Sequence, residues 1–433
     1  MNDILAKLIW NIGSQLRNPH FRFHYRELKK SEGFSLSTLE ELQLIRARQV
    51  LIHAYKYSPF YKGIFSANSF NPLTDFQSLG DLEKIPVISK AELIKFNDQI
   101  HAINFNERVY LSETSGSTGQ SLNFRKDENW DSFNRAARAR GFSWYGVNPW
   151  DRNGYLWGYN FALFKQIKTW SLDRLQNRFR IFSYDDKDIN KFAANLKNAV
   201  YINGYSSMIH EVARRINLQA DLPKPMKIKM ICGTSEKIYD SYQKDAIKAF
   251  GRKIIGEYGA AEAGIIGFEC PHGNLHINME GVIVEEENGE IIVTNLVARS
   301  FPVIRYKLGD YVKLAPDGYQ CSCGMKHKVI ESVLGRVGRL VQGISNTYPS
   351  LVFYYIFKNL AVNQSLELNY QVVQEKAGEL TIKLEQVPVL SEINFLEKEL
   401  TKYFKKDMNW KILTGQKLHD QNGKFIDFIS NLQ

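Results

Sequence analysis

The chain has 433 residues, 44% of them hydrophobic and 13% aromatic, enough to bury a large core divided over two or more domains. Its formal net charge of +10 suits an enzyme of anionic substrates; Lys and Arg are spread along the chain rather than blocked, which argues against nucleic acid as a partner. Four cysteines in so long a chain exclude a secretory disulfide framework and point to a reducing cytoplasm.

The first segment reads as an amphipathic helix with Ile4, Leu5, Leu8, Ile9, Ile12 and Leu16 on one face, followed by basic and aromatic residues from Arg17 to Lys30. That face is expected to pack on its own domain. The alternative is docking of residues 1–30 on a membrane surface or a biosynthetic complex, at the inner face of the membrane. No apolar run reaches the roughly 18–20 residues of a membrane helix, and Lys7 and Asn11 interrupt any signal-peptide core. Residues 38–66 read as a helix ended by Pro59, and Ser89 reads as the cap of a short new one. Neither offers chemistry.

An extended run ending in Val109 and Tyr110 then enters a window, Leu111 to Ser121, that holds Ser112, Thr114, Ser115, Gly116, Ser117, Thr118, Gly119 and Ser121. Glycine removes the Cβ that would hold an anion away, so backbone N–H groups and hydroxyls can approach a phosphate. No lysine follows Gly119, so this is not a Walker A loop, and by itself such a window is more often a plain turn than a phosphate site. Residues 128–141 form a basic helix. A cluster of aromatics follows, from Trp144 to Phe164. Such clusters usually belong to a core. Gly154, Gly158 and Asn160 interleave with them, however, which suits Trp157 and Tyr159 lining a flat or apolar ligand.

From Ala193 the pattern becomes α/β. A buried strand at 228–232 runs into Gly233, Thr234, Ser235 and Glu236, a helix spans 239–250, and a second strand at 253–257 leads into Tyr258, Gly259, Ala260, Ala261 and Glu262. In a βαβ unit ligands sit beyond the carboxyl ends of the strands, and here both ends carry small and acidic residues. Residues 275–314 are β-rich, with 306–310 expected as a turn whose Asp310 could accept two vicinal hydroxyls, as a ribose provides. Gly335 to Arg339 reads as a linker. Beyond it come a helix at 349–360, strands near 366–374 and 378–386, a helix through Ile393, Leu396, Leu400 and Phe404, a strand near 409–414, and a polar tail. Cys270, Cys321 and Cys323, with His272 or His276, have the makings of a Cys₃His zinc site pinning a β-rich insert at 270–323. Cys232 reads as a small core residue.

Taken together, the segments at 111–121, 233–236, 258–262, 306–310, 335–336 and 423–424 resemble the adenylate-forming enzymes. The nearest match is the phenylacetate–CoA ligase family, including its branch in capsular polysaccharide biosynthesis. The resemblance runs from about residue 40 to the end and leaves 1–35 as a helical extension. It implies an α/β fold: a large N-terminal domain, 1–337, with parallel and mixed sheets, and a small mobile α+β C-terminal domain, 338–433.

It also implies a two-stage reaction with ATP and Mg²⁺. An acyl-adenylate forms from a small carboxylate, and the acyl group then passes to a thiol, such as coenzyme A or a carrier protein, or to an amine. Thr114 to Gly119 match the loop around the β- and γ-phosphates, and Gly233 to Glu236 the segment along adenine. Tyr258 and Gly259 match the stretch against the base, Glu262 the magnesium carboxylate, Asp310 the ribose aspartate, with Arg336 nearby, and Lys424 the lysine of the C-terminal Gly-Lys signature. Some relatives carry a Cys/His cluster, which favours His276 as the fourth zinc ligand. Ala261 stands where many relatives have Thr or Ser, Gly338 where an acidic residue is common at the hinge, and no arginine precedes Gly423. A non-catalytic nucleotide- or zinc-bearing scaffold is the competing expectation, and Glu262, Asp310 and Lys424 retained together argue against it.

Overall fold

In a computed structural model, the structure describes residues 2–114, 121–157, 163–181, 186–218, 228–235, 238, 240–335, 340–366, 368–416, 418, 420–421, 424–425 and 428–432. The chain divides into two compact units, the first made of Met1–Glu113, Asn123–Gly158 and Phe164–Arg336, the second of Thr114–Leu122, Tyr159–Leu163 and Val337–Gln433.

The first unit opens on α1 (Asp3–Arg17), begun by Asn2, whose side chain accepts the Ile4 N–H. α1 meets the fold through Ala6 and through Trp10, whose ring lies 5.0 Å from Phe21 and 5.4 Å from Trp150. The stripe expected to pack is the other one: Ile4, Leu5, Leu8, Ile12 and Leu16 are exposed. Periodicity finds an apolar stripe but not its partner, and the large indole at Trp10 has claimed the contact instead. α2 (Phe21–Ser31) and α3 (Leu36–Tyr57) follow. Pro59 does not simply end a helix; it starts α4 (Pro59–Ala67), because its fixed φ and missing N–H suit a first helical position, with Ser58 as cap. Ser89 and Glu92 form the capping box of α5 (Lys90–Lys95), and α6 (Asn97–Ile100) comes next.

β1 (Val109–Glu113) and β2 (Asn123–Asp127) pair as an antiparallel ribbon, and Asp127 caps α7 (Glu128–Ser143). The parallel region begins before Ala193, with β3 (Asn153–Leu156), α8 (Leu163–Leu175), β4 (Arg178–Arg180) and α9 (Asp186–Asn195). It continues with β5 (Tyr201–Tyr205), α10 (Ser206–Leu218), β6 (Met230–Thr234), α11 (Asp240–Phe250) and β7 (Ile254–Ala260). Antiparallel strands extend the same sheet: β8 (Gly264–Glu269), β9 (Leu275–Ile277), β10 (Val282–Glu287), β11 (Glu290–Asn295), β12 (Tyr306–Leu314) and β13 (Val329–Gly335). The order across its 11 strands is β10-β11-β12-β13-β9-β8-β7-β6-β5-β3-β4. Residues 306–310, expected as a turn, open β12 instead; Gly309, at φ +86°, takes up the irregularity within the strand, next to a register shift.

The second unit carries the ribbon β14 (Leu340–Gln342) and β15 (Thr347–Pro349), then α12 (Leu351–Gln364), β16 (Tyr370–Lys376), β17 (Glu379–Leu384), α13 (Leu390–Phe404) and β18 (Asn409–Leu413). The short β19 (Asp420–Gln421) and β20 (Lys424–Phe425) pair with each other, and β21 (Phe428–Ser430) completes a sheet ordered β18-β17-β16-β21. Its core gathers Phe353, Leu396, Leu400, Phe404 and Phe428, with Phe357 stacked on Tyr370 at 3.6 Å. The expected α+β character holds, with boundaries shifted by a few residues. Among the described residues no helix is long and apolar enough to cross a membrane.

Candidate active site

The parallel strands set the site. Register places Asn203 of β5 beside Cys232 of β6, and one row further on Tyr205 beside Thr234 and Thr234 beside Glu257 of β7. Residues two apart on a strand share a face, so both rows point the same way, towards α7, whose Phe142 packs on Tyr201 at 5.1 Å. Below lies an apolar cluster of Phe142, Tyr201, Met230, Cys232, Ile255 and Phe268; Cys232 is core, as expected. Above, at the carboxyl ends, the same face turns polar. On the opposite face Gly233 cannot carry a Cβ, which would sit 2.7 Å from Ser206 Oγ and 2.8 Å from Ile254 Cγ2. Ser235, just past β6, takes a left-handed φ of +67°.

The expected nucleotide residues fall as follows. The Tyr258 hydroxyl donates to Asp310 Oδ2 at 2.9 Å, joining two motifs 52 residues apart. Glu262 is buried and accepts the Tyr306 hydroxyl at 2.9 Å. Gly259 lies on β7, Gly233 and Thr234 on β6. Thr114 is buried in the second unit, where its N–H donates to the Leu122 carbonyl and its Oγ1 accepts the Leu122 N–H, both at 2.9 Å. That pair closes the loop's neck. Ser115, Gly116, Ser117, Thr118, Gly119, Glu236, Arg336 and Tyr159 lie outside the described residues, as does the side chain of Lys424 on β20.

Trp157 donates its indole N–H to Asn203 Oδ1 at 2.9 Å, and its ring stands 4.7 Å from Tyr205. Two cations escaped the sequence reading. Arg138 of α7 makes a bidentate pair with Glu257, Nε to Oε2 and Nη2 to Oε1, both at 2.6 Å. Lys126 of β2 lies in the field of Asp131 and Glu262; burial pulls its ammonium below the usual range against those two charges. The only local signal for Glu257 was an acid placed directly before Tyr258 in an otherwise apolar strand.

The cysteines converge. The ligand atoms of Cys270, His276, Cys321 and Cys323 all lie within 4.8 Å of one another, whereas His272 turns aside to Ser322. Cys270 and Cys321 sulfurs are 3.7 Å apart, too far for a disulfide. A tetrahedral Zn²⁺ with Zn–S near 2.3 Å would set such an edge at about 3.8 Å. His276 donates from Nδ1 to the His327 carbonyl at 3.1 Å, which aims Nε2 at Cys323 Sγ, 3.2 Å away. Burial pushes the His276 pKa down to about 4, so the ring offers a neutral lone pair. The donor set fits zinc.

Beside this cluster sits a sealed ionic group. Glu280 Oε1 accepts from Arg140 Nη1 at 2.6 Å, from His327 Nε2 at 2.8 Å and from Ser31 Oγ, while Arg140 Nη2 reaches Asn278 Oδ1 at 2.9 Å. Burial would push the Glu280 carboxyl up; the charges of Arg140, then His327, outweigh it and hold the group well below the usual range.

No protein-family model matches the chain. It is 26% identical to Protein CapK of Staphylococcus aureus over 347 residues, covering 76% of this chain and 74% of that one. It is 23% identical to the phenylacetate-coenzyme A ligase of Escherichia coli K12 over 400 residues, covering 83% and 88%. The crystal structure of 2-hydroxyisobutyryl-CoA ligase, in complex with 2-HIB-AMP and CoA in the thioesterification state, superposes with a TM-score of 0.65. The identity is 15%, over 93% of this chain and 92% of that one, a likeness of fold. The chain is therefore similar in sequence to CapK and the phenylacetate–coenzyme A ligases, and it has the fold of an adenylate-forming CoA ligase.

Proposed function

We propose that the protein is an AMP-forming ligase that activates a carboxylic acid with ATP and passes the acyl group to a thiol. A carboxylate oxygen attacks the α-phosphorus, the bond to the leaving pyrophosphate breaks, and the thiol then adds to the acyl carbon, releasing AMP and a proton. Two anions must meet in the first stage, so preorganised donors and cations are needed where charge develops. Thr114 to Gly119 would cradle phosphates, with Gly233 to Glu236 along the base. Tyr258 and Asp310 would hold base and ribose, with Arg336 nearby, and Glu262 would hold Mg²⁺. Lys424 would neutralise charge at the α-phosphate and carboxylate. Domains 1–337 and 338–433 would rotate between stages to withdraw Lys424. Trp157 and Tyr159 would line the acyl side.

What carries the reading is the hydrogen bond between Tyr258 and Asp310, since nucleoside recognition asks for an aromatic and a ribose carboxylate side by side. Carboxylate-dependent ATP–pyrophosphate exchange tests it. Lys424→Ala should cut the rate by about 10²–10³. ATP binding without exchange for any acid would instead make the chain a scaffold.

Finer assignments belong to the same proposal. An amine acceptor and a role in capsular polysaccharide biosynthesis extend the resemblance of the sequence motifs to the capsular branch. Zinc at Cys270, His276, Cys321 and Cys323 would be structural, its four protein ligands leaving no open position. The exposed stripe of α1, beside Lys7, Arg17, Arg22 and Arg26, would rest on anionic lipid. Equal sedimentation with anionic and zwitterionic vesicles would remove that last assignment.

A further inference from the structure

We propose that the acyl end of this site is built for an acid whose carbon skeleton carries hydroxyl or amide oxygens, rather than for a bare aryl or alkyl acid. The inference rests on the ligase reading above and narrows its substrate.

Three observations converge on the face beyond β5, β6 and β7. The last row of that face is Tyr205, Thr234 and Glu257, so every described side chain there carries a hydroxyl or a carboxylate. Arg138 spends Nε and Nη2 on Glu257, yet its side chain stays 40% exposed beside a carboxylate that is 2% exposed. A guanidinium has five N–H donors, so among the described residues its Nη1 edge remains to meet a ligand. Asn203, buried one row deeper, gives its oxygen to Trp157, and its Nδ2 has no hydrogen-bond partner among the described residues. The Cys232 sulfur beside it is a weak acceptor at best. One donor edge, Nη1 of Arg138, thus stays open above the apolar cluster, with Asn203 Nδ2 sealed beneath it beside Cys232, and Glu257 already neutralises Arg138.

An uncharged oxygen acceptor satisfies the open Arg138 donor without adding a charge. A phenyl or alkyl group would strip the water from the Arg138 guanidinium and return no hydrogen bond, which is the costly arrangement for a polar group. Trp157 and Tyr205, with ring centroids 4.7 Å apart and planes tilted by 47°, supply an aromatic corner compatible with the C–H face of a polyhydroxylated chain. A site that hydrogen-bonds a substrate hydroxyl rejects its deoxy analogue strongly, by up to roughly 10⁴–10⁵-fold in kcat/KM.

The test uses the full chain with ATP and Mg²⁺ and acids matched in skeleton: butyrate against 3-hydroxybutyrate, hexanoate against gluconate, and phenylacetate alongside. The expected result is faster exchange for the oxygenated member of each pair, by about 10²-fold or more. Phenylacetate or hexanoate equal to or better than the oxygenated acids overturns the proposal and leaves adenylation standing. Exchange with none of them overturns the ligase reading. Calorimetric binding of gluconate and phenylacetate to ATP-loaded Lys424→Ala protein then decides the pocket alone: tighter gluconate supports it, tighter phenylacetate overturns it. The double variant R138M/E257L should lose the oxygen preference and gain apolar acids, with AMP affinity held within about 2-fold. If the preference survives in that variant, the pair is a structural tie only and the proposal falls.

Discussion

Arg138 and Arg140 sit two residues apart on α7 and leave the helix on different sides. Each meets a glutamate that is 2% exposed, but the Arg138 side chain is 40% exposed and that of Arg140 only 4%. The sealed pair binds α7 to Ser31, Asn278 and His327, three stretches distant in sequence, with its charges out of water. The open pair holds β7 and keeps donors facing outward. A sealed ion pair is costly to halve, because the surviving charge has nowhere to go; an open one can be rehydrated. The contrast assigns architecture to one side of the helix and ligand contact to the other.

The sharpest way to break the comparison is Arg140→Met. It strands Glu280, and unfolding in urea should show a loss of about 3–5 kcal/mol. Arg140→Met with Glu280→Met should recover most of it, since a well-packed apolar replacement removes both buried charges. A loss below about 1 kcal/mol for the single change would mean that water reaches the pair.

Next in size is the metal cluster beside the sealed pair. Metal analysis of protein purified without added metal should find zinc, and Cys321→Ser should remove it. The stability lost should be about 3 kcal/mol when free zinc stands near 100 times its dissociation constant. An equal melting midpoint with and without chelator would dismiss the metal. Smaller again is Arg138→Met, which should change stability by about 1 kcal/mol or less, solvent already screening that pair, while altering which acids are used. A stability loss as large as that of Arg140→Met would erase the distinction between the two sides.

The sequence exposed these regions unevenly, for physical reasons. Cys270 with His276, and Cys321 with Cys323, are close in sequence and chemically rare, so the cluster was readable before any fold was known. Gly233 to Ser235 and Tyr258 to Glu262 were readable because parallel strands announce their ends by a switch from apolar to small and acidic residues. Tyr306 to Asp310 was misread, since a Gly-Asp pair signals a turn, whereas Gly309 spends its positive φ on an irregularity inside β12. Arg138 with Glu257 left no trace. The partners are 119 residues apart, and a helix arginine and a strand glutamate each look solvated until register brings them together. α1 failed in the same way, its apolar stripe visible and its packing partner not.

The smallest effect, and the cleanest in sign, belongs to His101, at the join between α6 and β2. Its Nδ1 donates to the Asn97 carbonyl at 2.9 Å, so its Nε2 must be the acceptor of the Arg125 N–H at 3.1 Å. The second bond requires a neutral ring, since a protonated Nε2 cannot accept. Burial is the first cause that lowers its pKa, and the charge of Arg125 adds to it, against the carbonyl and Asp98. A folded pKa below the unfolded value near 6.5 means that the unfolded chain binds the proton first. Stability from His101 is therefore complete above about pH 6.5 and declines as pH falls towards the depressed folded value. Urea midpoints at pH 7.5 and 5.5 should differ more for the wild-type chain than for His101→Gln, whose amide can donate and accept at either pH. Equal pH sensitivity in the two would show that the ring tolerates its proton, and that the Arg125 N–H has another acceptor.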